Sequence, residues 1–102
     1  MRYELDTGLI TVADDVRERL NQDEKFSYFA AEALCFFREL KCTMSDEKLK
    51  EILDKNNISE FNPYFKKTFA AYNYDKDDTT LMFITSHIDE NTRTTHVMFG
   101  KE

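Results

Sequence analysis

Apolar residues recur every three or four positions between residues 23 and 41. The set is Phe26, Phe29, Ala30, Ala33, Phe36, Phe37 and Leu40. This spacing predicts a helix, because residues three and four apart share a helix face. The apolar positions cover more than one stripe of that helix. We therefore expect a central core helix that packs on two sides.

Shorter helices are predicted from capping residues at residues 14–21, 46–56 and 62–74. Asp14 or Asp15 can cap the first and Ser45 the second, because a side-chain oxygen there accepts a hydrogen bond from an unpaired amide. Pro63 fits the first position of the third helix, where no amide donor is needed. The inner face of that helix would carry Phe65, Phe69 and Tyr72.

After residue 78 the apolar pattern changes to a period of two, which is typical of strands. Residues 79–87 and 93–99 are predicted to form a β-hairpin, with further short strands at 2–5 and 9–13. A turn centred on Glu90-Asn91 would place His87 and His96 on the same face of the hairpin. The sequence therefore predicts one α+β domain over residues 1–102, with three to four helices packed on a small antiparallel sheet that includes a C-terminal β-hairpin.

The predicted order of helices followed by a hairpin resembles a winged helix-turn-helix. In that interpretation Lys66 and Lys67 face DNA phosphates and Arg93 lies in the wing. The recognition helix has few side chains able to read base edges, and acidic residues flank it. A winged-helix transcriptional regulator of a mobile element is therefore the alternative hypothesis for function.

Charge favours a protein partner over nucleic acid. The chain has 20 acidic and 14 basic residues, a formal net charge of −6. Binding to phosphates needs a basic face, whereas an acidic chain suits a basic protein surface. Charged residues occur soon after the N-terminus, so we expect no signal peptide there. The longest apolar-rich run is too short to span a membrane. We expect a cytoplasmic protein, in the host cell if a phage encodes it. Cys35 and Cys42 would lie two helical turns apart on one helix, too far for a disulfide, so we expect both to be reduced and at least half-buried.

The sequence has no constellation that predicts catalysis or a bound cofactor. His87 and His96 lack further ligands nearby, so we expect no metal site. Residues 75–86 lack the glycine and glutamate of a calcium loop. The isolated glycines form no phosphate-binding loop. An enzyme remains the third hypothesis, and a non-catalytic protein is expected.

Acidic side chains cluster in two predicted loops. The candidate partner-binding residues are Asp75, Asp77, Asp78, Asp89 and Glu90. In its shortness, acidity and lack of catalytic motifs the chain resembles small anti-CRISPR and antirestriction inhibitors made by phages and mobile elements. The resemblance implies an inhibitor that occludes the guide-RNA- or DNA-binding surface of a CRISPR nuclease, and it transfers no residue roles. Solvated surface is the competing explanation of the same acidic loops.

Overall fold

The fold was obtained as a computed structural model, which describes residues 7–41, 44–56, 58, 66–89 and 92–100. Along the chain it contains β1 (Leu9–Val12), α1 (Asp14–Gln22), α2 (Glu24–Arg38), α3 (Asp46–Lys55), β2 (Lys66–Tyr74), β3 (Thr79–His87) and β4 (Arg93–Gly100). The strand order is β1-β4-β3-β2, with β1 parallel to β4 and the other neighbours antiparallel. The predicted α+β class is confirmed, with a mixed sheet in place of an antiparallel one.

Local capping residues set where the helices begin. The Ser45 hydroxyl accepts a hydrogen bond from the Lys48 amide at 3.2 Å, so the predicted cap of α3 is confirmed. Asp23 caps α2 in the same way, accepting from the Phe26 amide at 3.1 Å. Each cap satisfies a backbone donor that has no partner within the helix. The predicted helix at 14–21 is confirmed as α1, but the predicted cap is wrong: the N-cap is Ala13, which has no side-chain hydrogen bond, and Asp14 and Asp15 lie in the first turn.

Helix α2 is only partly the core helix that was expected. Phe26, Ala33 and Phe37 are buried, and the helix contacts α1 as well as strands β2 and β3. Phe36 is 39% exposed and Leu40 is 50% exposed, so part of the apolar surface faces solvent. The helix ends at Arg38, and Leu40 has a left-handed backbone with φ of 60°.

The fourth helix predicted over 62–74 is wrong for residues 66–74, which form β2. Ala70 and Tyr72 face one core cluster, while Phe69 and Ala71 face the other. A strand covered on both faces has nearly continuous apolar residues, so periodicity alone does not distinguish it from a buried helix. Phe65 and the predicted strand at 2–5 lie outside the described residues.

The sheet separates two apolar clusters. Helices α1 and α2 cover one face, whose buried residues include Val16, Phe26, Phe37, Tyr72, Leu81, Phe83 and Val97. Helix α3 covers part of the other face, where Ile52 and Leu53 pack with Ala71 and Met82. This arrangement explains why β3 is buried along most of its length. No helix of the described residues is long and apolar enough to cross a membrane.

The predicted hairpin is confirmed, but its register differs by one residue. Thr85 pairs with Thr95 and Ile84 with His96, where the prediction paired Ser86 with Thr95. The Ile88 amide donates to the Thr92 carbonyl at 3.0 Å, whereas the predicted turn would have paired Ile88 with Arg93. A shift of one residue moves side chains to the opposite face of a sheet.

Candidate functional site

The acidic turn, residues 75–78, joins β2 to β3, and all four of its residues are exposed. It closes a ladder in which each of the nine residues of β2 pairs with one of β3. Asp78 has φ of 57°, and its carboxylate accepts a hydrogen bond from the Asn73 side chain at 2.9 Å. Aspartate tolerates this left-handed conformation better than most residues. The three carboxylates are therefore presented on a well-supported turn.

Arg19 of α1 holds the acidic turn against the helices. Its Nη2 atom lies 2.6 Å from Asp77 Oδ2 and 3.0 Å from Asp23 Oδ2. The guanidinium carbon also lies 4.6 Å from the ring centroid of Phe26 and 5.9 Å from that of Tyr74. The fold thus holds one arginine between two carboxylates and two aromatic rings.

This cluster shifts the pKa values of its members. Hydrogen bonds from the Thr79 side chain and then from Arg19 lower the pKa of Asp77. The Phe26 amide, followed by Arg19, lowers the pKa of Asp23. The hydrogen bond to Asp77 is the main cause of the raised pKa of Arg19, and burial is the main cause of the raised pKa of Tyr74. Asp77 is therefore already engaged within the chain.

The predicted acidic residues fall into two separate places. Asp75, Asp77 and Asp78 share the acidic turn, whereas Asp89 is an exposed residue in the loop at the other end of β3. A nine-residue strand spans about 30 Å, so the two ends are far apart. Glu90 lies outside the described residues. The structure thus brings three of the five residues together.

A cavity that the sequence pattern did not predict adjoins the acidic turn. Its volume is about 350 Å³, and it lies between α2 and the end of β2. The lining includes the aromatic residues Phe29, Phe36, Tyr72 and Tyr74, together with Glu32, Asp75 and Lys76. Glu32 was the available signal for this cavity, because it is a charged residue within an apolar run. It lies three residues after Phe29 and four before Phe36, and so on the same helix face as both.

The two histidines do not share a face, so that expectation was wrong. His87 pairs across the ladder with Arg93, and His96 pairs with Ile84, which places the rings on opposite faces of the sheet. His87 Nε2 lies 3.3 Å from the Thr68 hydroxyl, and His96 Nδ1 lies 2.9 Å from the Thr11 hydroxyl. Within the described ranges, no three His, Cys, Asp or Glu side chains are grouped to hold a metal ion.

The structure also changes the interpretation of the basic and thiol residues. Lys66 and Lys67 lie on a strand, so the proposed recognition helix is wrong there. The Arg93 guanidinium donates to the Asp89 carbonyl at 3.1 Å. Cys35 is exposed, contrary to the expected burial, and α2 ends before Cys42, which lies outside the described residues.

Comparison of the chain with protein-family models, with curated proteins and with solved structures gives no match.

Proposed function

We propose that this protein is a non-catalytic binding protein whose acidic turn contacts a basic surface of a nucleic-acid-handling protein. The most specific form of the proposal is an inhibitor that occludes the guide-RNA- or DNA-binding surface of a CRISPR nuclease. The observation that carries it is the exposure of Asp75 and Asp78 on a turn fixed by the β2–β3 ladder and by Arg19. Carboxylates on a fixed turn can substitute for phosphates with little loss of backbone entropy on binding.

The roles of the three carboxylates differ. Asp77 forms an ion pair with Arg19 and positions the turn, so it contributes less to binding a partner. Among the described residues, Asp75 has no ion pair, and the Asp78 carboxylate accepts a hydrogen bond from the Asn73 side chain. Asp75 and Asp78 are therefore the residues expected to contact the partner. Asp89 at the far end of the hairpin, with Glu90 next to it in the sequence, is expected to form a second contact in an extended groove.

The test is an interferometry titration against an immobilised guide-free CRISPR nuclease. Asp75→Lys combined with Asp78→Asn reverses one charge and removes another, and asparagine tolerates the left-handed conformation at residue 78. We expect the association rate at low salt to fall by about tenfold and its salt dependence to decrease, because exposed charges act mainly on encounter.

A matched control is available on α3, on the other side of the sheet. Asp54→Lys with Glu51→Gln gives the same change in net charge at exposed positions. It should leave the association rate close to that of the wild type. Equal effects of the two double variants would reduce the mechanism to overall charge, and a wild type that binds no such nuclease would remove the proposed target.

The far end of the hairpin has a separate test. Asp89→Lys with Glu90→Lys should also weaken binding if the partner has a basic groove that extends along the whole hairpin. Unchanged binding with this variant would limit the contact to the acidic turn.

A further inference from the structure

We infer that the cavity between α2 and the end of β2 binds an arginine side chain of the partner protein. The inference rests on the proposed function, because it assigns a specific contact to the same acidic surface. Asp75 belongs both to the acidic turn and to the cavity lining, so a partner that approaches the turn also reaches the cavity.

The cavity combines aromatic surface with negative charge. Tyr72 and Tyr74 are almost fully buried, while Phe36 is 39% exposed at the surface. Glu32 and Asp75 are exposed and form no ion pair with another described residue. Lys76 on the turn is the cation in the lining, and it is also exposed. Two carboxylates and one ammonium leave the lining with a net negative charge, which favours a cationic ligand.

The chain itself contains a guanidinium in equivalent surroundings. Arg19 lies over the rings of Phe26 and Tyr74 while it donates to Asp77 and Asp23. Tyr74 also lines the cavity, so the surroundings of Arg19 and the cavity share one aromatic ring. An aromatic ring beside two carboxylates is thus an arrangement this fold already uses for arginine.

Arginine fits the lining better than lysine does. A planar guanidinium stacks on aromatic faces and donates several hydrogen bonds to carboxylates, whereas an ammonium is more strongly hydrated. A cavity of about 350 Å³ is at the lower end of the range for ligand pockets, which suits one long side chain. Arginine is also common on surfaces that bind nucleic acid.

The test is a titration of the ¹⁵N-labelled protein with the peptide acetyl-Gly-Arg-Gly-amide, followed by NMR. Amide shifts should concentrate around Ala33, Asn73 and Lys76, and the lysine version of the peptide should bind at least about twofold more weakly. Glu32→Gln, Asp75→Asn and Phe36→Ala should each raise the dissociation constant by about two- to fivefold, the range of exposed ion pairs and cation–π contacts. Glu51→Gln and Asp54→Asn on α3 are the matched controls and should leave it unchanged.

The outcomes separate this inference from the proposed function. Arginine-specific shifts around the cavity that the lining variants weaken would support the inference, even if no CRISPR nuclease binds the protein. Absent or scattered shifts, or equal binding of the lysine peptide, would overturn it, and nuclease binding through the acidic turn would then stand alone. All variants are judged by their one-dimensional and ¹⁵N spectra first, so a misfolded variant is replaced by another at the same lining.

Discussion

Arg19 donates to Asp77 across 58 positions of the chain, and this contact joins the first helix to the turn between β2 and β3. The same guanidinium donates to Asp23, the residue that caps α2. One side chain therefore links α1, the start of α2 and the acidic turn. The turn is held in place by this contact as well as by the strand ladder.

Acid should weaken this link. The folded chain lowers the pKa values of Asp77 and Asp23, so their contribution to stability is complete above the unfolded values near 4 and is lost as the pH falls through the lower folded values. Asp77→Asn should be less stable than the wild type near pH 7, and the difference should shrink below about pH 4. Urea denaturation across this range measures it, with Asp54→Asn as the control. A difference that is independent of pH would contradict the assigned role of Asp77.

The sequence predicted the features that depend on neighbouring residues. Ser45 was identified as a cap because a capping residue and the amide that it accepts from are only three positions apart. The helices that became α1 and α3 were predicted from such local signals. β2 was missed because burial on both faces gives an apolar pattern without a clear period. The register was missed because a one-residue slip changes every pairing while it preserves the alternation.

The candidate site was predictable only in part for the same reason. The exposure of residues 75–78 follows from their polar composition, and these residues were correctly predicted to form an exposed acidic loop. The partner of Asp77 lies in α1, and the cavity needs both α2 and the end of β2. Because residues 62–74 were predicted as a helix, neither the contact of Asp77 with Arg19 nor the cavity could be derived from the sequence. Long-range pairing of the strands is what assembles the site.

Buried threonines between β3 and β4 should contribute unequally to stability. The Thr95 hydroxyl donates to the Thr7 carbonyl at 2.7 Å and lies 2.7 Å from the Thr85 hydroxyl, so Thr85 must donate to Thr95. Thr95→Val leaves both the Thr7 carbonyl and the Thr85 hydroxyl without this partner, so it should lower the free energy of unfolding by about 1–3 kcal/mol. Thr85→Val leaves the bond to Thr7 intact and should cost less. Urea denaturation gives both values, and exposed Thr92→Val is the control; an equal or larger cost for Thr85→Val would refute this hydrogen-bond direction.

The exposed thiol of Cys35 should react with a thiol reagent in the native protein. Cys35→Ser should lower the native-state labelling by one thiol per chain. In denaturant without reductant, two thiols per chain should react, because both cysteines are expected to be reduced. A native protein that resists labelling would show that another chain or segment covers this side of α2.

Free duplex DNA should bind poorly even at low salt. Residues 66–74 form a strand, so Lys66 and Lys67 are not carried by a recognition helix, and Arg93 donates to the Asp89 carbonyl. The acidic turn and Asp89 lie at the two ends of β3, where their charges repel phosphates from either direction. A gel-shift titration at about 50 mM salt should give no complex tighter than the non-specific range of about 10⁻⁶ to 10⁻⁴ M. Tight, sequence-dependent binding that Arg93→Ala abolishes would instead support a DNA-binding regulator, and the acidic turn would then be solvated surface.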